Sequence, residues 1–191
     1  MIFSRFPFHA GALVPGFCAL LLAGCGNIAN VRSFSTPYST PPGTETARLR
    51  VMTNGMARGV PASACIDWRR EGAGVIAVQQ SGFANRNGQS LGMPSSHQAE
   101  RSRRDGFATS EVRIPANQPF AFNFLSQGMV SGGYSYSCQQ SMVFTPESGQ
   151  DYELLLIESG QCLIRLQRLG DGSNLSSSLQ DTGLCKASDA L

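Results

Sequence analysis

The chain reads as an all-β protein, an antiparallel β-sandwich or barrel-like domain preceded by a signal segment and a flexible linker. Three observations predict this. Short runs alternate polar and apolar residues with period two, the pattern of half-buried strands. Clusters of Gly, Pro, Ser and Asn separate them at strand-length intervals. No segment carries a sustained helical stripe. The composition agrees: only 15% of the 191 residues are charged while 21 are Gly, against roughly 25% charge in an ordinary soluble domain.

The first residues carry one positive charge, Arg5, and from Phe6 to Asn27 no side chain is ionised except where His9 titrates. The run is densest from Phe17 to Gly24 and ends in Leu22-Ala23-Gly24-Cys25. A charged start, a short apolar stretch and small residues before a cut are the features of a secretory signal. A membrane-spanning helix would need about 20 mostly apolar residues, and Pro7, Gly11, Pro15 and Gly16 interrupt this one. Leu22-Ala23-Gly24-Cys25 is similar to the lipobox of bacterial lipoproteins. That resemblance implies removal of residues 1–24, a diacylglycerol thioether on Cys25, and two or three acyl chains, enough for stable anchoring where one is not. An Asp after the cysteine marks inner-membrane retention in enterobacterial lipoproteins; Gly26, Asn27 and Ile28 stand here, so the resemblance implies an outer-membrane, periplasm-facing location.

Residues 25–45 are rich in Ser, Thr and Pro, with Pro37, Pro41 and Pro42 favouring extended chain. They read as a solvated tether that lifts the domain from the bilayer. The β domain is expected over residues 46–169. Arg48-Leu49-Arg50-Val51-Met52 and Glu111-Val112-Arg113-Ile114 alternate, and Val75-Ile76-Ala77-Val78 follows a Gly-rich turn. Phe120, Phe122 and Phe124 share one face of a strand. Tyr134 to Cys138, Met142 to Phe144, Tyr152 to Ile157 and Cys162 to Leu169 complete the set, and residues 135–169 read as a three-stranded antiparallel meander. Residues 96–105 fit a short helix or a polar loop, within a stretch (82–109) that has no strand pattern. Residues 170–191 form a polar, turn-rich tail expected to wrap the surface under a disulfide. The stretches TARLRVMTNG, ACIDW and FTPESGQDYELLL…CLIRLQRL resemble β-rich proteobacterial lipoproteins without assigned activity, which implies an exported, disulfide-bonded sandwich and supplies no active residues.

Six cysteines divide by position. Cys18 leaves with the signal, Cys25 takes lipid, and Cys65, Cys138, Cys162 and Cys185 remain. Four cysteines in an exported chain imply two disulfides with three possible pairings. If residues 135–169 are a meander, Cys138 and Cys162 lie two strand spacings apart, ~9.5 Å, beyond the ~7 Å that a disulfide spans. Of the two pairings that remain, Cys65–Cys138 with Cys162–Cys185 is preferred, the second bond stapling the tail. A zinc site is disfavoured because no Cys-x-x-Cys pair is present, and no metal or cofactor is expected.

Catalytic patterns are weak. His97 is the one histidine after Cys25, and Ser95 and Ser96 beside it are chain neighbours, which do not make a nucleophile–base pair. Asp67 and Glu71 flank Trp68-Arg69-Arg70, where local charge pairing explains them better than a sugar-cleaving carboxylate pair. Asp171-Gly172-Ser173-Asn174 lacks the closing Glu of a calcium loop and reads as a turn. Gly128 to Gly133 is not followed by Lys-Ser or Lys-Thr, so it is no phosphate loop. A net charge of +2 gives no footprint for nucleic acid. Arg101, Arg103 and Arg104 form the one basic cluster, and with Tyr134 and Tyr136 they are the candidate binding surface; Trp68 is expected in the core beside Cys65. The expectation is a membrane-anchored envelope lipoprotein, a non-catalytic interaction or structural module, with a ligand- or glycan-binding lipoprotein as the alternative and an envelope-polymer enzyme third. Its expected partners are the membrane through the lipid and an envelope protein or glycan.

Overall fold

The fold is seen in a computed structural model that describes residues 28–186; the signal segment and Cys25 lie outside the described residues. Two sheets pack face to face. Sheet I has the order β10-β9-β1-β4, with β1 (Thr46–Thr53), β4 (Ala108–Pro115), β9 (Asp151–Glu158) and β10 (Cys162–Arg168). Sheet II has the order β11-β8-β5-β2-β3, with β2 (Met56–Val60), β3 (Gly74–Val78), β5 (Phe120–Leu125), β8 (Gln139–Phe144) and β11 (Gln180–Asp181). A small hairpin, β6 (Met129–Ser131) and β7 (Tyr134–Tyr136), projects between β5 and β8. Two short helices, α1 (Ile28–Ser33) and α2 (His97–Arg104), lie outside the sheets' strand order. The all-β sandwich is thus as the alternation predicts, with one parallel pair, β1 with β9.

The core follows from period two. Leu49 and Val51 of β1, Val112 and Ile114 of β4, and Tyr152, Leu154 and Leu156 of β9 meet Phe120, Phe122 and Phe124 of β5 between the sheets. Phe120, Phe144 and Tyr152 touch edge to face, with centroids 6.0 and 5.6 Å apart. β2 escapes the alternation rule because all five of its residues are buried, Arg58 and Gly59 included. Gly59 is a packing requirement: a Cβ there would sit 2.8 Å from Phe120 Cζ and 2.9 Å from Ile76 Cδ1.

Residues 135–169 are not a meander. The turn after β8 carries the chain to the other sheet, where β9 pairs with β1 and β10. Cys138, at the start of β8, and Cys162, at the start of the edge strand β10, therefore face one another across the sandwich, and they are bonded with Cα atoms 5.6 Å apart. Cys65 pairs with Cys185. The expected pairs Cys65–Cys138 and Cys162–Cys185 are corrected accordingly: their exclusion of Cys138–Cys162 assumed one sheet where there are two. The tail is pinned as expected and also adds β11 to β8, while Ile66 and Cys185 exchange backbone contacts through Ile66 N–H to Gly183 O and Cys185 N–H to Ile66 O.

The tether reading is corrected for residues 28–45, of which Ile28–Ser33 form α1 with Ser33 buried against Arg58. Composition alone makes this stretch look solvated, but Tyr38 is 1% exposed and belongs to the core. Its N–H donates to Val75 O of β3, and its hydroxyl to Arg113 O of β4, at 3.2 Å. The segment straps one open side of the sandwich as Cys138–Cys162 straps the other. Gly74 permits the approach, since a Cβ there would collide with Thr36 O.

Loop-closure entropy sets the expected weight of each bridge. Cys65–Cys185 closes 120 residues and Cys138–Cys162 closes 24, giving about 5 and about 3.5 kcal/mol. Urea unfolding of the Cys65→Ala/Cys185→Ala and Cys138→Ala/Cys162→Ala variants should rank in that order, and non-reducing peptide mapping should recover these two pairs.

Candidate functional site

On each sheet one outward-facing arginine, Arg50 or Arg58, is covered by other chain and buried. The two are treated differently. On sheet I, Arg50 of β1 stands between Glu111 of β4 and Glu153 of β9 in the strand register. Arg50 Nε and Nη2 donate to Glu111 Oε1 at 2.9 and 2.7 Å, Nη1 donates to Glu153, and Nη2 also reaches Met93 O and Pro94 O. Glu111 Oε2 accepts the N–H groups of Leu91 and Met93. Ser96 donates its hydroxyl to Glu153 at 2.6 Å and accepts the N–H of Ala99, so one side chain caps α2 and ties it to the sheet. Ala99 then packs on Met52 and Leu155.

This cluster fastens the long 79–107 connection across sheet I. Every charged group in it has an opposite partner, and it exposes no unpaired nucleophile or base. Burial pushes the Glu111 carboxyl up, but the Leu91 N–H, Arg50 and the Met93 N–H outweigh it and hold it below its ordinary 4.5.

On sheet II, Arg58 of β2 lies in a cross-strand row with Asn123 of β5 and Ser141 of β8. A register shift between Ala57 and Arg58 in the pairing with β3 displaces the strand at this point. The guanidinium donates through Nη2 to Asn123 Oδ1 at 2.8 Å and through Nη1 to Ser33 Oγ at 2.7 Å and Asn30 Oδ1 at 3.3 Å. Its Cζ lies 4.0 Å from the ring centroid of Phe34 and 4.0 Å from that of Trp68. Arg58 is 5% exposed, has no carboxylate partner among the described residues, and leaves Nε without a hydrogen bond. Burial pushes its guanidinium down to about 10. The arginine forms the polar wall of a cleft of about 570 Å³, within the size range of small-molecule sites. Asn123, Leu125, Gln139, Ser141 and Leu184 line it as well.

The sequence-derived candidates fall elsewhere. Arg101, Arg103 and Arg104 are exposed on α2 over sheet I. Tyr134 and Tyr136 are exposed on the β6–β7 hairpin, which emerges from sheet II, so the arginines and the tyrosines belong to different sheets. His97 is exposed in the first turn of α2. Asp67 pairs with Arg69 at 3.0 Å. Trp68 is buried as expected, packed on Val60, Ile66, Ala121 and Val143 and against Arg58. Among the described residues no group of three His, Cys, Asp or Glu side chains is placed to hold a metal ion. Arg58 itself was not singled out from the sequence. The available signal was a lone Arg inside Met56-Ala57-Arg58-Gly59-Val60, an otherwise apolar run between the turn residues Asn54-Gly55 and Pro61.

No family model matches the chain, and no curated protein is significantly similar to it.

The Arg50 cluster gives a pH signature. Because the folded Glu111 value is depressed, its contribution is complete above 4.5, the ordinary value, and is lost as pH falls through the lower folded value. The Glu111 share of the unfolding free energy should be full above 4.5, decline as pH falls from there to the lower folded value, and be gone below it. Glu111→Gln should cost about 2 kcal/mol at pH 7, since it weakens the charge-assisted hydrogen bonds from Arg50, Leu91 N–H and Met93 N–H while Arg50 keeps Glu153, and should shrink the acid-side fall in urea titrations.

Proposed function

We propose that the chain is an exported lipoprotein, anchored through lipid on Cys25 in the outer membrane and facing the periplasm, whose domain is a non-catalytic interaction module. The observation that carries this reading is the cysteine pairing. Cys65, Cys138, Cys162 and Cys185 are consumed in two disulfides, so Cys25, at the end of the lipobox-like Leu22-Ala23-Gly24-Cys25, has no partner among them. Structural disulfides also belong to oxidising, extracytoplasmic compartments. The Arg50 cluster supports a structural use of buried charge, because its carboxylates are committed to holding α2 and the loop before it.

The packing of residues 34–45 alters what anchoring implies. Helix α1 begins at Ile28, three residues after Cys25, a reach of roughly 10 Å at most. The domain is then held against the bilayer by a very short leash, with α1 and the Arg58 side nearest the lipid.

A second reading, a small-ligand-binding lipoprotein, is favoured by the Arg58 cleft, which supplies concavity, aromatic rings and an incompletely paired polar group together.

Membranes from cells expressing the full chain and a Cys25→Ala variant test the anchor. The expected wild-type mass starts at Cys25 with acyl groups added, banding with outer membranes on a density gradient, and the variant becomes soluble. A wild-type mass that retains residues 1–24 without acyl groups defeats the proposal.

A further inference from the structure

Two arginines of one sandwich, each on the outer face of a central strand and each almost wholly covered, offer an internal comparison. Arg50 is 5% exposed and holds two carboxylates; Arg58 is 5% exposed and holds none among the described residues. Its neighbours are neutral oxygens and two aromatic rings. Aromatic faces offset part of the burial cost, but they do not satisfy an N–H. Nε has no acceptor, and Nη2 makes its one hydrogen bond to Asn123. Those two nitrogens form the side of the guanidinium that pairs with two oxygens at once.

We propose that the cleft over β2, β5 and β8 binds a ligand carrying a single carboxylate, which pairs side-on with Arg58 at Nε and Nη2. Three observations set that chemistry. Among the described residues Arg58 is the one charged side chain lining the cleft, so a monoanion neutralises the site and a dianion leaves a buried excess charge. Phe34 and Trp68 cover the guanidinium faces, so an anion pairs along the edge, where the buried Nε lacks a partner. A carboxylate is flat and pairs within that plane, whereas a tetrahedral phosphate sets oxygens above and below it. Ile66, Leu125 and Leu184 then provide an apolar wall, with Gln139 and Ser141 as neutral hydrogen-bonding groups, so the rest of the ligand is a short, largely apolar body. Asn30 and Ser33 of α1 hold Nη1, with Phe34 next in the chain over the guanidinium face, so α1 supplies no acceptor to the Nε and Nη2 edge. This inference deepens the ligand-binding reading and does not depend on the lipid anchor.

Trp68 is the sole tryptophan of the chain and touches Arg58, so its fluorescence reports on the site. The full chain in detergent is titrated with hexanoate, with hexanamide as its uncharged counterpart, and with inorganic phosphate, all at one ionic strength set with chloride. The expected result is a saturable change with hexanoate, at least tenfold weaker with hexanamide and with phosphate. Arg58→Lys, which keeps the charge and loses the two-nitrogen edge, should weaken hexanoate at least tenfold. Should that variant fail to fold, the Arg58 Nε–H resonance of the nitrogen-15-labelled wild type decides: it shifts on saturation if the carboxylate pairs there. Equal responses to hexanoate and hexanamide, tighter binding of phosphate, or a stationary Nε–H resonance would each overturn the proposal. The Cys25→Ala chain should give the same titration, so loss of anchoring and loss of binding are read separately.

Discussion

The structure depends on how the outward face of sheet I is covered. Arg48, Arg50 and Met52 point away from the core on β1, and in an ordinary sandwich that face would meet water. Here Arg50 draws Glu111 and Glu153 from the flanking strands into one buried row. The row in turn collects the Leu91 and Met93 N–H groups, two backbone carbonyls and the cap of α2. A buried arginine is tolerated only when nearly all its donors are met, so the 79–107 connection has little freedom in where it lies. Arg48 extends the same arrangement, holding Asp151 with both oxygens at 2.6 Å and reaching Leu91 O.

The sandwich is closed by covalent and hydrogen-bonded straps rather than by continuous pairing. Cys138–Cys162 joins the two sheets on the β8 and β10 side. The 36–40 segment joins β3 to β4 on the other, with Tyr38 inserted against Phe120 at 5.9 Å between centroids. Cys65–Cys185 fixes the end of the chain beside the 61–73 loop, which also carries Trp68. The β2–β3 connection, the first helix and the tail thereby converge on the outer face of sheet II, and the cleft exists because three segments distant in sequence are pinned over one row of strand residues.

Arg50 and Arg58 occupy comparable places and differ in their company. With two carboxylates and a set of carbonyls, Arg50 acts as a fastener. With amide and hydroxyl oxygens, two rings and an unfilled Nε–H, Arg58 keeps capacity for an anion. The difference lies in the cross-strand neighbours: Glu111 and Glu153 stand beside one arginine, and Asn123 beside the other.

By itself the sequence determined what is local. Alternation at residues 48–52 and 111–114, and the Phe120-Phe122-Phe124 face, fixed strands and their inward sides, because side-chain direction repeats every two residues whatever the strand pairs with. The even number of cysteines after Cys25 determined that two disulfides could form. Tertiary structure decided the rest. Which cysteines pair depended on the chain crossing between sheets after β8, and no turn residue encodes that crossing. β2 was hidden because burial on both faces erases alternation. The Ser- and Pro-rich 34–45 segment became a strap because Tyr38 finds a site between β3 and β4, a contact that composition does not register. The cleft was illegible for the same reason: Arg58 gains its meaning from Phe34, Trp68 and Asn123, residues brought together by packing, while a strand pattern specifies only which way a side chain points.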